Sequence, residues 1–383
     1  MTLDDEAQAE LAQLEATHRL RVPKILDGAQ GPVVTVDGIE VASFASNDYL
    51  GLAGDPRLAR AASASLEEDG VGAGASRLII GNHRRHVALE AAVADWMRTG
   101  GVRLFNTGYA ANVGVITTLA RAGDVVFSDE LDHASIIDGC RLAKAEVVVY
   151  PHGNLPALER ALEQHRGNRR LVISESLFSM DGDLADVAAL SRICQRHDAA
   201  LILDEAHACG ALGPEGRGVA AEVGVVPDVV IGTFGKSLGT FGAFAASSRA
   251  VADLLWNRAR PLVFSTGLPP SIAAATTAAI EIVRGPDGDD RRRTLAAHAR
   301  RFRELVPHAG GAPESAIAPV LVGDDQRVMQ LSARLLEDRV FVQGIRPPTV
   351  PVGTARLRVS LSARHERAHV EKAARLIAAA TTR

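Results

Sequence analysis

The chain is 383 residues long, 47% hydrophobic and 23% charged, with a formal net charge of −4. This length builds one large domain with a smaller satellite, or two domains, and the mild acidity excludes a basic nucleic-acid-binding surface. Aromatic residues, at 4%, are too sparse to form stacking platforms for single strands. The cysteines Cys140, Cys194 and Cys209 lack metal-ligand spacing, and their odd number suits a reducing compartment. The opening Thr2-Leu3-Asp4-Asp5-Glu6 has no apolar core of a signal peptide. No apolar stretch reaches the roughly 18 residues that a membrane span needs. The expected location is the cytoplasm, with no membrane or nucleic-acid partner and no bound metal.

Helical spacing at Leu11, Leu14 and His18 predicts a first helix over residues 6–21, broken before Pro23. Two short strands follow at 33–36 and 41–44, and Asp37-Gly38 between them reads as a hairpin turn. From Asp48 to about Ile282, apolar runs at 102–105, 125–127, 146–150, 171–174, 200–203 and 229–233 alternate with helical patterns. Near-continuous apolar runs separated by helices predict an α/β fold on a mainly parallel sheet covered on both faces. Gly285-Pro286-Asp287-Gly288-Asp289-Asp290 reads as a boundary. The arginines from Arg291 to Arg303 alternate with Leu295, Ala296, Phe302 and Leu305, the pattern of a helix with a solvated basic face. A further helix at 325–338, strands at 340–345 and 356–361, and a last helix at 366–379 complete a small α+β domain. The expected organisation is 1–47 as an N-terminal helix with short strands, 48–285 as a large cofactor domain and 286–383 as the small C-terminal domain.

The chemistry gathers at strand ends. Asp204 closes the 200–203 run, at the carboxyl edge where open α/β sheets bind ligands; a helix N-cap is its structural alternative. His207 follows three residues later, within reach of the same crevice. Lys236 follows the next run, flanked by Gly235 and Gly239, which let the backbone approach a ligand closely. Alone it reads as a surface lysine; the Asp204 and His207 pair on the preceding strand turns it into a Schiff-base candidate. Asp204-Glu205-Ala206-His207 also spells a helicase word, but that reading needs a Walker loop earlier in the chain. The chain's Gly235-Lys236-Ser237 comes later, and Val230 stands where the first Walker glycine belongs.

An anion cradle is expected where Asn106-Thr107-Gly108-Tyr109 turns from a strand into a helix, because a helix N-terminus offers unpaired N–H groups and a positive dipole end. Thr233 and Ser237 add hydroxyls. His133, in Asp132-His133-Ala134-Ser135, either stacks on a ring or serves as a capping histidine. Gly70-Val71-Gly72-Ala73-Gly74-Ala75 follows a helix end rather than a strand, so it is read as a loop near a substrate and not as a dinucleotide fingerprint. Arg356 and Arg358 alternate on one strand face, a fork for a carboxylate, although one of them can equally face solvent. A lysine, a carboxylate, an imidazole and an anion cradle are together what pyridoxal 5'-phosphate requires.

Five segments in order, Ser46-Asn47-Asp48-Tyr49-Leu50-Gly51-Leu52, Asp132-His133-Ala134-Ser135, Ser179-Met180-Asp181-Gly182, Asp204-Glu205-Ala206-His207 and Thr233-Phe234-Gly235-Lys236, resemble the α-oxoamine synthase family. These are pyridoxal phosphate enzymes of the aspartate aminotransferase-like fold, and the resemblance spans nearly the whole chain. It implies that Lys236, His133, Asp204 and His207 carry the catalysis. Lys236 holds the cofactor, Asp204 pairs with the pyridine nitrogen, His207 and Ser179 contact the phenolic oxygen, and His133 stacks on the ring. Gly108, Tyr109 and Thr233 hold the phosphate, and Thr266 reaches the phosphate of a neighbouring subunit, so a homodimer with composite active sites is implied. Arg21, Asn47, His133, Thr349 and Arg358 are the implied substrate contacts. The stretch Ile345-Arg346-Pro347-Pro348-Thr349-Val350-Pro351 resembles the biotin-biosynthesis branch, which condenses L-alanine with pimeloyl-CoA or a pimeloyl carrier protein and releases carbon dioxide and a thiol. The glycine-using branches are the alternative.

Overall fold

The computed structural model describes residues 2–381, which form two compact units. One comprises Asp48–Ser179 and Asp183–Thr294; the other collects the chain up to Asn47, the segment Met180–Gly182 and the chain from Leu295 onward.

The larger unit is organised by a seven-stranded sheet in the order Gly101–Phe105, Ala243–Ser247, Val229–Thr233, Ala200–Asp204, Arg170–Glu175, Val125–Asp129, Glu146–Tyr150. The five strands from Val229–Thr233 to Glu146–Tyr150 run parallel, as their apolar runs predict. Ala243–Ser247 was not expected, because Ala-Phe-Ala-Ala-Ser lacks the β-branched residues that mark a strand. It runs antiparallel to both of its neighbours, and its Ala243 and Ala245 pack into the core. Its Phe244 ring lies over Gly232, where a Cβ would stand 2.3 Å from the ring.

Alternation explains why the runs are continuous. Val126, Ile173, Ile202 and Ile231 pack on one face against Val115 and Ile116 of the helix Gly108–Leu119 and Ile136 of the helix Ala134–Leu142. Phe127, Val172 and Leu201 pack on the other against Leu158, Leu190 and Ile193 of two further helices. A strand buried on both sides has no position left for a polar residue until it emerges at its end. Glu175 and Asp204 are those ends and lie opposite each other in register. Period-two counting places both on the face of Ile173 and Ile202, under the helices that begin at Gly108 and Ala134.

At Gly285-Pro286 one helix ends and another begins. The helix Pro286–Leu305 starts there, because proline presets the first-turn backbone and Asp287 and Asp289 favour the positive end of the dipole. The basic face of this helix is solvated only in part: Arg293 and Arg300 are exposed, whereas Arg291 and Arg292 turn inward. Arg291 pairs with Asp55 at 3.0 Å and donates to the Leu50 carbonyl at 2.8 Å, and Arg292 donates to the carbonyls of Val283 and Gly210. A guanidinium has five donors and can serve several carbonyls at once.

In the smaller unit the first helix, Leu3–Ala16, is capped by Thr2 and stops five residues short of the predicted end, where His18 takes φ 57°. None of its residues is buried, so the Leu11 and Leu14 spacing marks no core face within this chain. The hairpin is as expected: Val33–Val36 pairs with Ile39–Ser43 across Asp37 and Gly38, both at positive φ. The strand expected at 340–345 divides. Val340–Phe341 joins the hairpin sheet, whereas Gln343–Ile345 borders a three-stranded sheet with Ala355–Ser360 at its centre. The opposite edge, Ile317–Gly323, was not expected because Pro319 argues against a strand; at an edge it is tolerated.

Candidate active site

The strand end at Asp204 is wired into the helices above it. Its Oδ1 accepts the Ala206 N–H at 2.8 Å in a tight turn, and no helix follows, so the N-cap alternative is not realised. Its Oδ2 accepts Asn112 Nδ2 at 2.7 Å. Asn112, on the helix Gly108–Leu119, also donates to Ser135 Oγ at 3.0 Å, and that hydroxyl lies 2.7 Å from Nδ1 of His133. The Ser135 N–H donates to the same nitrogen at 3.2 Å, making His133 the N-cap of the helix Ala134–Leu142. A main-chain N–H can only donate, so Nδ1 is the acceptor and a neutral ring carries its proton on Nε2. Although His133 remains accessible as a residue, its Nδ1 edge is packed inside. That desolvation lowers its pKa, Asp204 opposes the shift and Lys236 reinforces it.

Lys236 sits half-buried in the bend after Val229–Thr233, with its charge felt at both His133 and Glu175. The bend is braced by Gly239 at φ 66°, where a Cβ would lie 2.3 Å from the Ala53 nitrogen. The amides of Leu52 and Ala53 are in turn held by the Asp48 carboxylate at 2.8 and 3.1 Å. Gly235 has no such requirement, since a Cβ there would meet nothing closer than 3.7 Å. Close approach is therefore the property of Gly239 only, and it is an approach to protein backbone. His207 is buried, with Nδ1 2.7 Å from the hydroxyl of buried Tyr49; Ser179 is buried as well.

The helix Gly108–Leu119 starts at Gly108, capped by Thr107, whose Oγ1 accepts the Ala110 N–H at 3.0 Å. A Cβ on Gly108 would meet nothing within 4 Å, so there is free space beside the first residue of this helix. Tyr109 is exposed and its hydroxyl donates to Asp138. The Thr233 hydroxyl is engaged in its own turn, donating to the Gly242 carbonyl at 3.0 Å. Thr266 is exposed; its carbonyl accepts Asn106 Nδ2 at 2.9 Å. An amine, a carboxylate steadied by two donors, a neutral imidazole and a helix N-terminus are the donor set that pyridoxal phosphate requires, and the residues fit it.

The remaining predicted contacts lie in the smaller unit. Arg358 donates to Asn47 Oδ1 at 3.1 Å and to Ser360 Oγ at 2.8 Å. Arg356, two residues away on the same face, is paired with Asp181. Arg21 donates to Thr349 Oγ1 at 3.1 Å beside a cavity of about 460 Å³, which Lys24 and Arg346 also line. Arg346 is only 8% exposed; its Nη2 donates to the Leu20 carbonyl at 2.7 Å, and its Nε has no partner. Burial, then the charge of Arg21, lowers its pKa.

Four further residues of the site carry no role in the local pattern: Asn112, Ser135, Tyr49 and Glu175. Asn112 carries a signal, a lone amide on the sheet-facing side of the otherwise apolar helix Gly-Tyr-Ala-Ala-Asn-Val-Gly-Val-Ile. Ser135 and Tyr49 lie inside the family motifs, but Asn112 and His207, which they meet, stand in other segments.

A family model for aminotransferase class I and II matches residues 39–377. The chain is 48% identical to the 8-amino-7-oxononanoate synthase of Pelobacter propionicus, over 94% of this chain and 93% of that protein. Among solved structures it resembles a serine palmitoyltransferase from S. paucimobilis with bound PLP–myriocin aldimine (TM-score 0.93, 31% identity, covering 98% and 96% of the two chains). It also resembles an 8-amino-7-oxononanoate synthase from Francisella tularensis (TM-score 0.76, 26% identity, 88% and 97%). The chain belongs to the aminotransferase class I and II family, and its cofactor is pyridoxal 5'-phosphate.

Proposed function

We propose that the protein condenses L-alanine with a pimeloyl thioester, of CoA or of a carrier protein, to give 8-amino-7-oxononanoate, carbon dioxide and free thiol, a step of biotin biosynthesis. The observation that carries this reading is the 48% identity to such a synthase over nearly the full length of both chains.

The bound cofactor supplies an electron sink for the carbanion at the amino acid's Cα. Asp204 pairs with its pyridine N–H, and Asn112 and the Ala206 N–H keep that carboxylate aimed without any need to reorganise. Lys236 carries the cofactor and, when released, takes the Cα proton on Nζ. His133 covers the ring as a neutral imidazole. His207, held by Tyr49, and Ser179 meet the phenolic oxygen, while the N–H groups of Gly108 and Tyr109 and the Thr233 hydroxyl hold the phosphate. Thr233 must turn from the Gly242 carbonyl to do so.

Arg358, with Asn47, holds the alanine carboxylate; the pairing of Arg356 with Asp181 makes Arg356 the poorer candidate. Arg21 and Thr349 meet the acyl donor. The neighbouring cavity supports a donor whose tail ends in a carboxylate, because a methyl-ended chain laid over exposed Arg21 would desolvate that guanidinium without compensation.

We also propose a homodimer in which Thr266 serves the partner's site. Ile79, Ile80 and Phe264 are 75%, 82% and 71% exposed, which is costly unless a second copy covers them. Among the described residues no helix is long and apolar enough to cross a membrane. Three free, buried cysteines support a cytoplasmic location.

The test is purified holoenzyme supplied with L-alanine, glycine or L-serine against pimeloyl-CoA, pimeloyl carrier protein, acetyl-CoA and palmitoyl-CoA, with thiol release and product mass recorded. Alanine with a pimeloyl donor should be fastest and yield 8-amino-7-oxononanoate. Faster thiol release with glycine or serine would overturn the assignment.

A further inference from the structure

The larger unit buries two glutamates, and the structure treats them differently. Glu205 is 0% exposed with every need met: Oε2 accepts Ser176 Oγ at 2.6 Å and the Val219 N–H at 3.0 Å, and Oε1 accepts the Ala220 N–H at 2.8 Å. It is a structural carboxyl that ties the turn after Asp204 to the segment at Val219. Glu175 is 3% exposed, yet its Oε1 has no partner. An unsatisfied buried oxygen of this kind costs about 1–3 kcal/mol, so stability does not account for it.

Its placement does. Glu175 ends the strand Arg170–Glu175 opposite Asp204, and alternation aims both side chains at the same face. Its own N–H donates to Asp132 Oδ1 at 3.2 Å, one residue before His133, and the His133 N–H is directed at its carboxyl. The groups facing it are Asp204 from the next strand, Asp132 and His133 from the turn before the helix Ala134–Leu142, and Lys236 from the bend after Val229–Thr233.

We propose that Glu175 is a positioning residue of the cofactor site, an un-ionised carboxyl that braces the His133 turn against the Asp204 strand while adding no second negative charge beside Asp204. The proposal rests on the reading of Lys236 and Asp204 as cofactor residues. Burial first, then Asp204 and Asp132, push the Glu175 carboxyl well above the usual range, against the opposing effects of Lys236 and the His133 N–H. Two carboxyls side by side in an apolar site do not both ionise. A neutral acid also has an O–H to offer, which a glutamine of the same shape imitates and an alanine does not.

The test compares Glu175→Gln and Glu175→Ala with wild type. In the holoenzyme, the visible absorption of the Lys236-bound cofactor is titrated with pH, and cofactor affinity is measured by fluorescence. Glu175→Gln should leave the titration midpoint within about 0.3 pH units and the affinity unchanged, whereas Glu175→Ala should weaken cofactor binding about 10-fold. A midpoint lowered by a unit or more in Glu175→Gln would mean that an ionised neighbour had been removed, and would overturn the proposal. So would wild-type affinity in Glu175→Ala; if that variant does not fold, the glutamine titration decides alone. A separate arm uses the protein without cofactor: the infrared difference between wild type and Glu175→Gln at pH 7 should contain the carbonyl band of a protonated acid. A carboxylate band there instead overturns the proposal even if the cofactor-site reading stands. A protonated-acid band from protein that binds no cofactor would sink the cofactor-site reading and leave the un-ionised state of Glu175 intact.

Discussion

The strand ends of the larger unit and the basic cluster of the smaller one are built in opposite ways. Asp204, Asn112 and Ser135 are buried and joined by hydrogen bonds of 2.7 to 3.0 Å that continue to His133. Arg21 and Thr349 are exposed and share one contact of 3.1 Å. In a low-dielectric interior such a chain holds its charges and dipoles in place before any ligand arrives, so it lowers a barrier without reorganising. Exposed groups are screened by water and must be ordered when the ligand binds, so they contribute little except discrimination. The first arrangement suits chemistry and the second suits recognition of a tail.

Substitutions should divide along the same line. Lys236→Ala should lower turnover by at least about 10,000-fold and leave nothing for borohydride to fix on the protein, with bound cofactor released intact on denaturation. Asp204→Asn should cost on the order of 100- to 1,000-fold in kcat, and Asn112→Ala about 10- to 100-fold, both with little change in the KM for alanine. An Asn112→Ala enzyme with wild-type kcat would remove the case for a prearranged chain. Arg358→Met should raise the KM for alanine roughly 10- to 100-fold and affect kcat less, the signature of lost ground-state binding.

The two units should also respond oppositely to pH. His365, buried against the Ser43 carbonyl in the smaller unit, has its pKa pushed down to about 4 by burial. A depressed value means that the unfolded chain takes up the proton first, so the stability this group contributes is present above about 6.5 and lost as pH falls toward 4, roughly 3 kcal/mol in all. Glu175 and Asp132 in the larger unit have raised values, so the folded state holds protons that the unfolded chain has lost, and stability declines as pH rises above the ordinary carboxylate range. Hydrogen exchange at pH 4.5 and pH 9 should show the smaller unit loosening first in acid and the larger first in alkali; the same order at both pH values would contradict the comparison. The smallest effect expected is that of Arg21→Ala, a few-fold rise in the KM for the pimeloyl donor that shrinks further in high salt.

Much of this was legible in one dimension. A strand buried on both faces must be apolar throughout and can become polar only where it emerges, so five parallel strands, Asp204 at the end of one and Lys236 just beyond another all follow from local pattern. Asp37-Gly38 states its turn for the same local reason. Ala243–Ser247 and Ile317–Gly323 were not legible, because alanines and an internal proline are poor strand formers that neighbouring strands nevertheless recruited. The helix that starts at Pro286 was hidden because the same residues that break a helix inside can begin one. Which residue types stand at the strand ends follows from the order of amino acids, since that depends only on period and burial. That Asn112 answers Asp204, that Asp181 engages Arg356 and that Glu175 lies beside Asp204 emerges from the folded chain alone. Those pairings join residues far apart in the chain, and their distances are set by packing, which no local pattern records.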